Sequence, residues 1–122
     1  MNAPTIILVD DDLDKQFLLK RLLNKQFPGN ETTVVNNFDA ALPLLRTSYS
    51  KIVVTNGRIS GESGIEFASF ITREIHAPVI MVSLREELKQ KALDAGVLAF
   101  VEMGDELAIR EAVSRAIESV AK

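Results

Sequence analysis

Five short runs of β-branched and aliphatic residues, regularly spaced along the chain, constrain the fold more than any other feature. They occupy residues 5–9, 32–35, 51–55, 78–82 and 98–101. Each run is nearly continuous in apolar character, which is typical of strands that are buried on both faces of a parallel sheet. We therefore predict a core of five short parallel strands.

Helical patterns separate these runs. The last one places its apolar residues at the spacing of a single buried stripe, formed by Ile109, Ala112, Val113, Ala116, Ile117 and Val120. A first helix is predicted over residues 13–27, with Asp12 as its N-cap and Pro28-Gly29 as its stop. Its side chains expected to face inward are Phe17, Leu18, Leu22 and Leu23.

Three further helices are predicted over residues 38–46, 64–75 and 86–95. Pro43 falls inside the first of these and removes one helical N–H, so that helix should be kinked or short. Gly96 should end the last of them. This alternation of strand and helix favours an α/β fold, a doubly wound sheet with helices on both faces, and one domain covering residues 1–122.

Composition excludes several functions. The chain has no cysteine, which excludes disulfides, thiolate catalysis and cysteine metal sites. The single histidine, His76, cannot form a histidine metal site.

A net charge of −3 with well-mixed signs predicts neither a nucleic-acid nor a membrane partner. The start lacks a signal-peptide pattern and no run is long enough to span a membrane, so we expect a cytoplasmic protein that binds other proteins.

Function should lie at the carboxyl ends of the strands, where doubly wound sheets place their sites. The first strand ends in Asp10, Asp11 and Asp12. Adjacent carboxylates repel one another, and a hard divalent cation such as Mg²⁺ relieves that repulsion. The other interpretation of the triplet is a helix N-cap beside two solvated acids.

Polar and apolar residues of interest follow the other strands. Asn56 ends the third strand and offers an amide, which is not a useful phosphoryl acceptor. Ser83 ends the fourth strand with a hydroxyl that can donate to an anion or cap a helix. Phe100 and Met103 lie at the fifth, where no lysine is present to aim a fixed cation at the site.

The whole chain resembles a receiver domain of two-component systems, of the chemotaxis-regulator type. The segments that carry the resemblance are 6–12, with its three acids, and 51–64, with Asn56-Gly57-Arg58. Segments 78–83 and 95–100 match the fourth strand and the approach to the fifth. The resemblance implies a flavodoxin-like sheet of order 2-1-3-4-5 with five helices, and a role in phosphorelay signalling.

The resemblance also implies roles for individual residues. Asp10 and Asp11 fall on the metal-binding acid pair, and Arg58 falls on the residue that lends its backbone carbonyl to the metal. Ser83 falls on the switch hydroxyl and Phe100 on the switch aromatic. These positions fit the family pattern.

Three positions depart from that pattern. Asn56 stands where the family has its phosphoryl-accepting aspartate, Met103 stands where it has a lysine, and Ser60 replaces a proline. We therefore predict a pseudo-receiver that is not an enzyme, with no catalytic residue. Because Asn56 is neutral, Mg²⁺ bound by Asp10, Asp11, Asn56 and Arg58 should be held weakly.

By the same resemblance, the partner is a histidine kinase, an output domain, another regulator or a second copy of the chain. The expected interface is the fourth helix, the fifth strand and the fifth helix. On the last helix, Arg110, Ser114 and Arg115 are available for polar contacts.

Two alternatives stay open. The first is a conventional receiver that is phosphorylated, although no aspartate lies between Asp39 and Asp94, and only deamidation of Asn56-Gly57 would supply one. The second is a phosphatase of the haloacid-dehalogenase type, suggested by the acids from Asp10 to Asp14. Such an enzyme would need a threonine where Asp14 stands.

Overall fold

The computed structural model describes residues 3–121, so residues 1, 2 and 122 of the predicted domain lie outside the described range. Its main sheet is parallel and follows the order β2-β1-β3-β6-β7. These strands are β1 (Thr5–Val9), β2 (Thr32–Val35), β3 (Lys51–Thr55), β6 (Val79–Ser83) and β7 (Ala99–Glu102). Between β3 and β6 in sequence, a small antiparallel hairpin is formed by β4 (Arg58–Ile59) and β5 (Glu62–Ser63). With the hairpin set aside, the predicted order 2-1-3-4-5 is confirmed.

Within residues 3–121 the chain forms five α-helices, as predicted, of which the last follows the final strand. They are α1 (Leu13–Gln26), α2 (Phe38–Leu45), α3 (Gly64–Phe70), α4 (Lys89–Asp94) and α5 (Glu106–Val120). A π-helical turn (Ile71–Ile75) extends α3, and a 3-10 turn (Glu86–Leu88) precedes α4. Pro43 lies inside α2, which has only 8 residues. Gly96 follows α4 with φ +100°, a left-handed conformation that suits the end of a helix.

The sheet is covered on both faces because successive strand residues point in opposite directions. Ile7 and Val9 belong to an apolar cluster with α2, α3 and α4. Ile6 and Leu8 belong to a second cluster with α1 and α5. The continuous apolar runs are thus explained by burial on two sides.

The stripe predicted for α5 is confirmed at Ile109, Ala112, Val113 and Ala116, which are all buried. Its opposite face is polar. Among residues 3–121, neither α5 nor any other helix combines the length and the apolar character that a membrane crossing requires.

The inward face predicted for α1 is wrong in part. Phe17 and Leu18 are 65% and 62% exposed, whereas Leu19 and Leu23 are buried. The stripe that faces the sheet begins with Gln16, which donates to the carbonyl of Asp10, and continues with Leu19 and Leu23 on the same side of the helix. Because the first inward position is polar, the apolar residues of the sequence indicated the wrong face of the helix.

Substitutions on α1 test this assignment. Leu23→Ala removes a fully buried side chain and should lower the free energy of unfolding by about 2–5 kcal/mol. Phe17→Ala, on the exposed face, should change it by no more than about 0.5 kcal/mol. Urea unfolding of both variants measures the difference, and a larger loss for Phe17→Ala would reverse the assigned face.

Candidate functional site

The three acids at the end of β1 have three different roles. Asp12 caps α1, since its Oδ1 accepts hydrogen bonds from the N–H groups of Asp14 (2.9 Å) and Lys15 (3.2 Å). Asp11 is exposed, and its Oδ2 accepts from the N–H of Ser60 at 2.7 Å. Only Asp10 is buried. Because Asp12 turns toward the helix, within residues 3–121 the triplet forms no group of three or more metal-ligating side chains.

Asp10 is 1% exposed, and its Oδ1 accepts from the N–H of Asp12 at 2.9 Å. Burial raises the pKa of this carboxyl above the ordinary aspartate value. The hydrogen bond from Asp12 and the charge of Lys15 lower the pKa, while the charges of Asp11 and Asp12 raise it, and the net shift is upward. An additional cation beside Asp10 would therefore be favourable.

Two residues of α1 join the site although the sequence did not single them out. Lys15 supplies the positive charge that acts on Asp10. Gln16 donates from Nε2 to the carbonyl of Asp10 and to Oδ1 of Asn36, at 2.6 Å in the second case. The available signal was their place in the first turn after the N-cap, on the side that faces the strand ends.

Asn56 and Gly57 lie in the gap between β3 and β4. The register pairs Val9 with Thr55, so Asp10 and Asn56 leave neighbouring strands at the same level. Asn56 is half-buried and donates its N–H to the carbonyl of Val9 at 3.4 Å. Its side-chain Oδ1 accepts from the N–H of Gly57 at 2.6 Å. The side-chain oxygen of Asn56 thus already accepts a hydrogen bond from the backbone of the next residue.

The loop that follows holds position 56 tightly. Gly64 donates its N–H to the carbonyl of Gly57 at 2.8 Å, and a Cβ at Gly64 would collide with the carbonyl oxygen of Asn56. Arg58 is exposed and donates from Nη1 to the carbonyl of Gly61 at 2.8 Å. Ser60 lies in the turn of the hairpin, where its backbone adopts a positive φ of +51°. Its bond to Asp11 ties this turn to the acids of β1.

Ser83 reaches the same edge from β6. Its hydroxyl is buried and accepts from the N–H of Arg85 at 3.0 Å. A Cβ at Gly57 would lie 3.6 Å from this Oγ and only 2.7 Å from Cδ1 of Leu88. Leu88 therefore covers Gly57 and occupies space that a larger residue at 57 would take. Leu88 was not among the residues predicted from the sequence, and the glycine at position 57 was the signal that could have indicated it.

At the end of β7, the side chains of Phe100 and Met103 lie on opposite faces of the sheet. Phe100 is half-buried and packs with the cluster beneath α2, α3 and α4. Met103 donates its N–H to the carbonyl of Ser83 at 3.2 Å. Its side chain packs with α1 and α5, in a groove that also contains Leu18 and Ile109. The side chain of Met103 therefore extends into that groove, on the face of the sheet opposite to Phe100.

The predicted interface residues lie away from these strand ends, on α5. Arg110 and Arg115 are exposed and Ser114 is half-buried. Arg110 borders a shallow cavity of about 210 Å³ together with Leu22 and Gln26 of α1. It therefore lies at the α1 side of α5.

Comparison with known families assigns the chain. The sequence model described as "Response regulator receiver domain" matches residues 6–113. The chain belongs to the response regulator receiver family. The matched range includes Asp10, Asp11, Asn56, Ser83 and Phe100, the positions that the resemblance singled out in the sequence.

Solved receiver structures have the same fold. FixJ-N has a TM-score of 0.84 at 24% identity, with 97% of this chain and 96% of that chain covered. A response regulator receiver domain protein from Clostridium thermocellum scores 0.83 at 18% identity, with 97% of each covered. The receiver domain of a sensor histidine kinase from Pseudomonas aeruginosa, solved with magnesium coordinated in its active-site cleft, scores 0.78 at 18% identity and covers 95% of this chain and 98% of that one. None of the curated proteins matches this receiver.

The raised pKa of Asp10 gives a prediction with a definite sign. The folded receiver holds the Asp10 proton more tightly than the unfolded chain does, so its free energy of unfolding falls as the pH rises from the ordinary aspartate value through the raised one. Asp10→Asn cannot ionise but keeps an oxygen for the N–H of Asp12. It should be more stable than wild type at neutral pH, with the difference shrinking as the pH falls.

Urea unfolding across this pH range, without divalent cations, measures the effect. A stability difference that is the same at acidic and neutral pH would show that ionisation of Asp10 carries no cost in the folded receiver.

Proposed function

We propose that this receiver is not phosphorylated at position 56, is not an enzyme, and acts through protein–protein interaction. The observation that carries the proposal is Asn56 at the acceptor position, with its Oδ1 bound to the N–H of Gly57 at 2.6 Å. An amide oxygen is a poor nucleophile toward phosphorus compared with a carboxylate, and this oxygen is already engaged.

The residues at the end of β7 also support the proposal. Met103 stands at the lysine position, and its side chain packs between α1 and α5. Lys15 supplies a positive charge near Asp10, but from α1. A phosphoryl group at position 56 would therefore lack a cation on β7 to form a charge-assisted hydrogen bond.

The residues at this edge have the donor chemistry of a magnesium site. Asp10, Asp11, Asn56 and the carbonyl of Arg58 supply only oxygens, which Mg²⁺ prefers. Two of the four are carboxylates, and Oδ1 of Asn56 and Oδ2 of Asp11 already accept backbone hydrogen bonds. A bound metal would supply positive charge beside Asp10. We infer weak magnesium binding here, in keeping with the magnesium in the Pseudomonas aeruginosa receiver.

Partner binding is the means by which such a receiver can still signal. A two-state domain shifts only when something binds one state better than the other, and moving it from about 1:99 to 99:1 requires about 5.5 kcal/mol. A protein interface can supply this free energy. Around α4, Leu84 and Leu93 are 68% and 41% exposed, which supports a partner surface formed by α4, β7 and α5. A histidine kinase, an output domain, another regulator or a second copy would bind there.

The phosphatase alternative is less well supported. The family match assigns the chain to the receivers. Asp14, where the phosphatase would need threonine, donates its N–H to the Asp12 cap in the first turn of α1.

Phosphorylation tests the central proposal. Wild-type protein incubated with acetyl phosphate and Mg²⁺ should keep its unmodified intact mass, because position 56 has no carboxylate. Asn56→Asp restores the acceptor and serves as the positive control, and it should gain the mass of a phosphoryl group. A phosphorylated species of freshly prepared wild type would refute the proposal.

Magnesium titration tests the role of position 56 in the metal site. A third carboxylate strengthens the attraction for the cation, so Asn56→Asp should bind Mg²⁺ roughly tenfold or more tightly than wild type. Isothermal calorimetry measures both affinities. Equal affinities would show that position 56 does not contribute to the site.

Charge reversal on α5 tests the partner surface. Arg110→Glu with Arg115→Glu should weaken self-association or partner capture, measured by sedimentation and pull-down. The exposed charges contribute little to folding, so the free energy of unfolding should change by less than about 0.5 kcal/mol. Single reversals separate the α1 side, which Arg110 borders, from the rest of α5. Undiminished binding by the double variant would place the interface elsewhere.

A further inference from the structure

We propose that Asn56 is a site of intramolecular deamidation, and that this reaction creates the acceptor carboxylate that the encoded sequence lacks. The inference rests on the proposed function, because it requires that the unmodified chain has no acceptor at position 56. It assigns to the Asn56-Gly57 pair a chemical change that would turn an inactive receiver into one able to accept a phosphoryl group.

The reacting groups are already close. The backbone nitrogen of Gly57 lies 2.6 Å from Oδ1 of Asn56. A carbonyl bond is about 1.2 Å long, so the side-chain amide carbon is within about 3.8 Å of that nitrogen. Two groups held about 3–3.5 Å apart react far faster than the same groups free in solution, and this hydrogen-bonded pair lies close to that range. Glycine at position 57 presents no Cβ beside the attacking nitrogen.

The local backbone leaves this nitrogen available. Asn56 and Gly57 belong to neither β3 nor β4. Among the described residues, the hydrogen-bond acceptor of the Gly57 N–H is Oδ1 of Asn56, not a strand carbonyl. The bond from the Asn56 N–H to Val9 is long, at 3.4 Å. Closing the ring between the two residues therefore breaks no bond of the sheet ladder.

The chemistry needs only water and a base from solvent. Gly57 nitrogen loses its proton and bonds to the Asn56 amide carbon, and the bond from that carbon to the side-chain nitrogen breaks. The side-chain nitrogen takes up a proton and leaves as ammonia, and a cyclic imide remains. Water then adds to one imide carbonyl and the carbon–nitrogen bond opens. Opening at the former side-chain carbon gives aspartate, and opening at the backbone carbon gives isoaspartate. No electrons are gained or lost.

The surroundings favour the aspartate product in the folded chain. Isoaspartate adds a carbon to the backbone and so moves the carbonyl of residue 56. That carbonyl is packed so closely on Gly64 that a Cβ there would collide with it, and Gly57 is fixed by the N–H of Gly64 at 2.8 Å. The aspartate product keeps this backbone. It adds a carboxylate at the end of β3, next to the strand end that carries Asp10.

The sequence supplies its own controls. Its asparagines are Asn2, Asn24, Asn30, Asn36, Asn37 and Asn56, and only Asn56 precedes a glycine. The full chain is aged at neutral and at mildly alkaline pH, and each asparagine is followed by peptide mass spectrometry. Conversion at Asn56 should be about tenfold or more faster than at the other five, and faster at the alkaline pH because the Gly57 nitrogen must lose a proton.

Two variants test the geometry. Asn56→Gln keeps the amide but lengthens the side chain, so conversion at position 56 should fall at least about tenfold. Gly57→Ala places a Cβ 2.7 Å from Cδ1 of Leu88, the end of a flexible side chain, and should also slow the reaction. If Gly57→Ala does not fold, Asn56→Gln alone carries the comparison. Conversion of wild-type Asn56 no faster than that of the other asparagines would overturn the proposal.

The last step links the modification to function. Samples taken during ageing are treated with acetyl phosphate and Mg²⁺, and the phosphorylated fraction should follow the fraction of aspartate at position 56. Conversion to aspartate without phosphorylation would overturn the claim that deamidation creates an acceptor. Phosphorylation of fresh, unconverted protein would instead refute the proposed function, so the two failures are distinguishable.

Discussion

The pairing of β1 with β3 is the interaction on which the site depends. Ladder bonds between these two central strands set Val9 opposite Thr55, and the chain then presents Asp10 and Asn56 side by side. Both strands are buried on two faces, so a shift of register would expose apolar residues and is strongly disfavoured. The relative positions of acid and amide are therefore set by this buried pair of strands, and the loop after Asn56 holds the amide in place.

Electrostatics at this edge agree with a neutral residue at position 56. Asp10 is already costly to ionise because it is buried, and Lys15 offsets that cost only in part. A second carboxylate directly beside it would raise the cost further unless a cation were bound. Asn56 avoids this repulsion, and its bond to Gly57 satisfies the amide oxygen locally. With a neutral residue at position 56, the unmodified site has no second carboxylate beside Asp10 whose charge a metal, a phosphoryl group or a lysine would have to balance.

The site is also connected to the surface proposed for partners. The side chain of Leu88 packs over Gly57, and α4 begins at the residue that follows Leu88. Ser83 is bonded to the N–H of Arg85 in the same loop. A side chain or charge added at position 57 or 56 would therefore act on a segment that leads into α4, where Leu93 is exposed. Leu88 and the loop before α4 thus join the site to the proposed partner surface by direct contacts.

Much of this receiver could be predicted from residues alone. The continuous apolar runs determined the parallel strands, the alternation determined the doubly wound fold, and Asp12 and Gly96 determined helix ends, because each of these signals is local in the chain. The tertiary structure decided what depends on neighbours distant in sequence. Gln16 faces inward, where it donates to the carbonyl of Asp10, and Leu88 covers Gly57 because a glycine leaves that space. Met103 extends toward α1 and α5 because its place after β7 sends it to that side of the sheet. Periodicity specifies which residues share a face, but only packing decides what that face meets.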